Sequence, residues 1–120
     1  MTNPLDPYKP RWYVLGGPDG HTPIPEPDIY KAAKFFEDFK ARIVAKTELP
    51  GGLEVSTVFL GLDHGWRDEA PQLFETMVFD GSTSDKLGND VDQWRCSTWT
   101  EAEAQHAAAV AKWKKTYLDS

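Results

Sequence analysis

The sequence predicts an α+β fold in which an antiparallel meander sheet of about four to five strands packs with two helices. Two apolar runs, Leu53–Leu62 and Leu73–Phe79, are rich in the β-branched and aromatic residues that favour strands, and they are expected to pair as a central hairpin. Apolar residues at helical spacing predict the helices, at Pro27 to Ala41 and at Trp99 to Tyr117. The length of 120 residues suits one domain, expected over 11–120 after a flexible arm at 1–10.

The N-terminal elements are predicted to be short strands. Arg11–Leu15 has strand-forming residues, and the glycine-rich segment Gly16–Gly20 ends it in a turn. His21–Pro25 is expected to return as an edge strand, because Pro23 and Pro25 cannot donate ladder hydrogen bonds.

The first predicted helix places Pro27 and Asp28 in its first turn, where a proline is tolerated and a carboxylate complements the helix dipole. One apolar stripe is expected along it, formed by Ile29, Ala32, Ala33, Phe36, Phe39 and Ile43. A strand is predicted next, over Ile43–Leu49, and Pro50–Gly52 ends it.

The second predicted helix follows a last strand over Val91–Ser97. Thr98 with Glu101 and Thr100 with Glu103 both match the capping-box pattern, and only one of these pairs can be the cap. The face expected to lie on the sheet carries Ala102, His106, Val110, Trp113 and Tyr117.

Composition narrows the function classes. Apolar residues make up 40% and aromatic residues 12% of the chain, as in folded globules. The formal net charge of -6 argues against binding to nucleic-acid backbones, which requires clustered Lys and Arg, and favours a basic partner or solubility. Cys96 has no second cysteine to pair with, is expected to be buried, and fits a reducing cytosol. Neither a signal peptide nor a membrane anchor is expected.

The first candidate site is the pair Asp63-His64 at the end of the central strand, with Glu75 on the next strand. A carboxylate beside an imidazole can form a general base or part of a metal site. The alternative is structural, with Asp63 capping a turn and His64 solvated. His106, alone among small and apolar helix residues, is the second candidate. If it met His64 and Glu75, the set would match a two-histidine, one-carboxylate metal centre; the alternative is a core histidine with both ring nitrogens hydrogen-bonded.

The third candidate is a binding loop made of Trp66, Arg67, Asp68 and Glu69. An exposed tryptophan beside an arginine has the composition of a binding hot spot, whereas the alternative is a Trp66 folded back as a lid on the hairpin. Trp12, Trp94 and Trp113 are instead expected in the core.

Three motifs together carry a resemblance. They are VSTVFLGLDH at Val55–His64, LFETMVF at Leu73–Phe79 and STWTEAEAQH at Ser97–His106. On these motifs the chain resembles a group of small uncharacterised proteins encoded by tailed bacteriophages and prophages, and the likeness extends loosely from Trp12 to Val110. The resemblance implies a phage-encoded protein acting in the bacterial cytoplasm, and it carries no activity over to particular residues.

The leading functional hypothesis is a non-enzymatic binding protein that contacts a host or phage protein through its acidic surface and the Trp66 loop, with no cofactor. An alternative is a small metal-dependent hydrolase using Asp63, His64, Glu75 and His106. A second alternative is a virion or assembly component, which would self-associate.

Overall fold

The computed structural model describes residues 12–63, 70–80 and 90–118, and it confirms the α+β class. The elements are β1 (Tyr13–Gly16), β2 (Thr22–Pro25), α1 (Ile29–Phe36), α2 (Phe39–Arg42), β3 (Ile43–Glu48), β4 (Leu53–Phe59), β5 (Phe74–Asp80), β6 (Asp90–Cys96) and α3 (Trp99–Leu118). A short 3-10 helix at Pro50–Gly52 joins β3 to β4. No helix within these ranges is long and apolar enough to cross a lipid bilayer.

The main sheet is an antiparallel meander of four strands in the order β3-β4-β5-β6. The predicted central hairpin is confirmed, since β4 pairs with β5 from Leu53 opposite Asp80 to Phe59 opposite Phe74. The strand β4 ends before the predicted Leu62, because Gly61 has a φ of 78° that a regular strand does not accommodate.

The helix α3 covers one face of this sheet, as the sequence predicts. Ala102 packs with Phe59 and Phe74, and Ala109 packs with Val55 and Val78. The true N-terminal cap is Thr98, whose hydroxyl accepts a hydrogen bond from the Glu101 amide at 3.1 Å while the Glu101 carboxylate accepts one from the Thr98 amide at 3.1 Å. The apolar face and the capping box therefore fix both the start and the rotation of this helix.

The strands β1 and β2 form a separate two-stranded antiparallel sheet at the end of β4. The Tyr13 amide donates to the Gly61 carbonyl at 2.6 Å, and Trp12 forms an isolated β-bridge with Leu62. The ring of His21, just before β2, stacks on Trp99 with ring centroids 3.7 Å apart. These contacts attach the small sheet to the main sheet at one end and to α3 at the other.

The structure divides the first predicted helix into α1 and α2. Asp28 is the cap of α1, since its carboxylate accepts a hydrogen bond from the Tyr30 amide at 2.9 Å. Asp38 breaks the helix because its carboxylate accepts from the Ala41 amide at 3.2 Å and starts α2. The expected stripe is divided as well.

Members of that expected stripe differ widely in burial. Ala32 is 1% exposed, whereas Ile29 is 59% exposed and Phe39 is 61% exposed. The break at Asp38 thus leaves apolar side chains of both short helices facing solvent.

Candidate functional site

Most of the predicted site loop lies outside the described residues, namely His64, Trp66, Arg67, Asp68 and Glu69. Asp63, at its start, accepts a hydrogen bond from the Gln72 amide at 3.0 Å. This bond closes the base of the loop, which is the structural role that the sequence offered for an Asp at this position.

Glu75 is buried on β5 and belongs to a cross-strand polar group. Its Oε2 accepts from Gln93 Nε2 at 2.6 Å and from Arg95 Nε at 2.9 Å. Arg95 lies directly opposite Glu75 in the ladder and neutralises its charge.

His106 is buried in the interface between α3 and the sheet, with 7% exposure. Its Nε2 lies 2.8 Å from Thr47 Oγ1 and its Nδ1 lies 2.8 Å from Thr57 Oγ1, which in turn lies 2.7 Å from Thr76 Oγ1. Burial lowers the pKa of His106, because the imidazolium form loses its hydration there. A neutral ring that accepts one hydrogen bond and donates the other satisfies both nitrogens. The sequence alone does not identify these threonines as the partners of the ring.

The sheet separates Glu75 from His106. Thr76 contacts the His106 network on the α3 side, and neighbouring residues of a strand point to opposite faces, so Glu75 lies on the other side. Within the described ranges no group of three His, Cys, Asp or Glu side chains is arranged to hold a metal ion. The structure thus does not bring together the metal-ligand pair that the hydrolase hypothesis requires.

A different surface stands out in the N-terminal third of the fold. Four large apolar side chains are exposed there, with exposures of 41% for Ile24, 59% for Ile29, 84% for Tyr30 and 61% for Phe39. Large apolar side chains are rarely left this exposed, so the neighbourhood of α1 and α2 is where an interaction site is sought.

A groove lies along α1 and includes one of these side chains, that of Ile29. It has a volume of about 460 Å³ and is lined by Trp12, Ile29, Ala32, Ala33, Phe36 and Glu37, and we call it the α1 groove. Its wall includes the rings of Trp12 and Phe36, whose centroids are 5.4 Å apart at an angle of 59°. The size and apolar lining are those of ligand-binding clefts.

Comparisons with protein-family models, with curated proteins and with solved structures find no match. The resemblance to phage proteins therefore stays a prediction. The interpretation of the site depends on its own geometry.

Arg42, at the end of α2, connects the α1 groove to the face of the main sheet opposite α3. Its Nε donates to the Phe59 carbonyl at 3.3 Å, and its guanidinium carbon lies 4.8 Å from the Phe36 ring centroid and 5.9 Å from that of Phe39. Burial lowers the pKa of Arg42 through loss of hydration. A smaller hollow of about 190 Å³ lies beside it, which we call the sheet hollow, lined by Phe39, Arg42, Ser56, Val58, Glu75, Met77 and Phe79.

The sequence contained only an indirect signal for this surface. Trp12, Ile29 and Phe36 all fit a core pattern, and the structure uses Phe36 partly for that purpose. Tyr30 lies off the apolar stripe, and Asp38 directly precedes Phe39 in the manner of a helix cap. Read as a second N-terminal cap, Asp38 would have indicated a helix break directly before Phe39.

Proposed function

We propose that this chain is a non-enzymatic binding protein that recognises a segment of a partner protein in the α1 groove. The observation that carries this proposal is an apolar groove that is open to solvent and lined in part by the exposed side chain of Ile29. Aromatic side chains in desolvated pockets carry most of the energy of protein interfaces, and Trp12 and Phe36 supply them here.

The charge around the groove indicates the kind of segment that binds. Glu37 is the charged residue of its lining, and Glu26 and Asp28 lie at the start of α1, within a chain whose formal net charge is -6. Lys31 and Lys34, on the same helix, are not part of the lining. The fitting partner segment thus has an apolar or aromatic anchor next to Lys or Arg.

The resemblance to proteins of tailed phages supports a host or phage protein as the source of this segment. Such a partner fits the bacterial cytoplasm, which is also the compartment that the single cysteine favours. The contact predicted at the Trp66 loop lies outside the described residues and stays a prediction, while the α1 groove is a contact surface that the described residues support.

Selection from a random peptide display library tests the proposal. The library is selected on the natural chain, and the enriched peptides are then tested on Ala33→Arg, in which a long cation enters the groove from an exposed helix position. We expect enriched peptides to share an aromatic or aliphatic anchor beside Lys or Arg. A selection that enriches no peptide family, or one without such an anchor, would contradict the proposal.

A further inference from the structure

Arg42 is a partly buried cation without an ion-pair partner among the described residues. Of the five N–H donors that a guanidinium carries, Nε makes the one hydrogen bond seen within those residues, to the Phe59 carbonyl. Contacts with the rings of Phe36 and Phe39 hold the planar group in place. The remaining donors are thus available for an acceptor that approaches from outside.

The sheet hollow next to Arg42 has walls suited to an apolar group. Val58, Met77 and Phe79 line it from the strands β4 and β5, and Phe39 lines it from α2. Its volume of about 190 Å³ is below the several hundred Å³ of most ligand pockets, so it fits a body of only a few carbon atoms.

The charges that line the sheet hollow leave one positive charge uncompensated. Glu75 is neutralised by Arg95, whose Nε lies 2.9 Å from its carboxylate. Arg42 is partly buried, and no described carboxylate forms an ion pair with it. A desolvated guanidinium favours an anion whose two oxygens match its fork geometry, which a carboxylate does.

We propose that the sheet hollow binds a small carboxylate with a short apolar body. The carboxylate pairs with the guanidinium of Arg42, and the apolar body lies against Val58, Met77 and Phe79. Ser56, whose hydroxyl has no hydrogen bond among the described residues, lines the same hollow and is a further donor. This inference is independent of the protein partner proposed for the α1 groove.

The two methionines make a direct test possible. Met1 and Met77 give two methyl signals in a protein labelled at the methionine methyl carbon, and Met77 reports on the sheet hollow. Butyrate is titrated as the probe, with butyramide as its neutral analogue and with chloride and phosphate as other anions. We expect a saturable shift of the Met77 signal with butyrate, and binding about tenfold weaker or less with butyramide, which lacks the charge.

Arg42→Gln and Lys40→Gln form a matched pair, since both remove one positive charge from α2 and Lys40 does not line the hollow. Arg42→Gln should weaken butyrate binding by about tenfold or more, whereas Lys40→Gln should leave it unchanged. If Arg42→Gln does not fold, Arg42→Lys is measured in its place, since it retains the positive charge without the fork geometry of the guanidinium. Arg42→Lys should bind butyrate more weakly than the natural chain does. The proposal would be overturned if butyrate gave no saturable shift of the Met77 signal, or if an Arg42 variant bound butyrate as tightly as the natural chain does. A Met77 shift with chloride or phosphate equal to that with butyrate would also overturn it.

Discussion

The ring of Phe36 packs against Gly61 so closely that a methyl group at Gly61 would overlap its Cζ and Cε1 atoms. Gly61 also has a positive φ of 78° and accepts a hydrogen bond from the Tyr13 amide at 2.6 Å. This contact joins α1 to the end of β4, next to the attachment of the small sheet. Because Phe36 lines the α1 groove, its packing on Gly61 fixes one wall of the proposed binding site.

Gly61→Ala is expected to destabilise the fold by about 2–4 kcal/mol, because it combines left-handed backbone strain with overlap against Phe36. Urea unfolding followed by tryptophan fluorescence measures this free energy. Gly20→Ala is the matched control, since Gly20 has a φ of 73° and its added methyl would have no neighbour within 4 Å. Gly20→Ala should lower the free energy of unfolding by only about 1 kcal/mol. Equal costs for the two variants would contradict the Phe36 packing.

The pKa of His106, lowered from the ordinary 6.5 by burial, makes stability depend on pH. Below pH 6.5 His106 is protonated in the unfolded chain but stays neutral in the folded chain. The unfolded state therefore binds more protons, and the free energy of unfolding falls as the pH drops from 6.5 towards the pKa of the folded state. The stabilising contribution is fully present above pH 6.5. Urea unfolding at several pH values between about 5 and 8 measures it.

His106→Gln provides the control for this pH dependence, because it removes the titrating ring and retains one polar side chain in the interface. The difference in unfolding free energy between the natural chain and His106→Gln should shrink as pH falls below 6.5. A difference that stays constant over this range would show that burial does not perturb the titration of His106.

Thr57→Val is expected to destabilise the fold by about 1–3 kcal/mol, because it preserves shape while leaving His106 Nδ1 and Thr76 Oγ1 without their shared partner. Chemical denaturation measures the change. Thr22→Val, at an exposed position of β2, makes the same substitution and should stay within about 0.5 kcal/mol of the natural chain. If both variants were neutral, the hydroxyl network would contribute nothing to stability.

Cys96 should react slowly with a disulfide reagent such as dithionitrobenzoate at pH 8. Burial, and secondarily the negative charge of Glu101, raises the pKa of the thiol to about 11, so very little thiolate is present. The same chain unfolded in urea supplies the control and should react at the rate of a free cysteine. Fast labelling of the native chain would refute the burial of this thiol beneath α3.

The parts of the fold that the sequence predicted are those in which local and tertiary preferences agree. The β-branched and aromatic runs of β4 and β5 specify their pairing, and the box of Thr98 and Glu101 specifies the start of α3. The helix break was hidden because Asp38 fits both a solvated helix face and a cap, and only backbone geometry distinguishes the two.

The candidate site was harder to predict because β5 does not alternate between apolar and polar residues. In the run Phe74–Phe79, the sequence does not indicate whether Glu75 or Thr76 faces α3. In the structure Thr76 faces α3, because its hydroxyl lies in the hydrogen-bond network of Thr57 and His106. The α1 groove escaped prediction for a related reason, since its wall residues Trp12 and Phe36 have the sequence pattern of core residues.

The binding claim is tested most directly by the dissociation constant of a selected peptide for two arginine variants, measured by fluorescence anisotropy. Ala33→Arg places a cation in the α1 groove, and Ala104→Arg makes the same change at an exposed position of α3 that does not line the groove. We predict at least about tenfold weaker binding to Ala33→Arg and a change of less than about twofold for Ala104→Arg. Equal affinities of the two variants would contradict the α1 groove as the binding site.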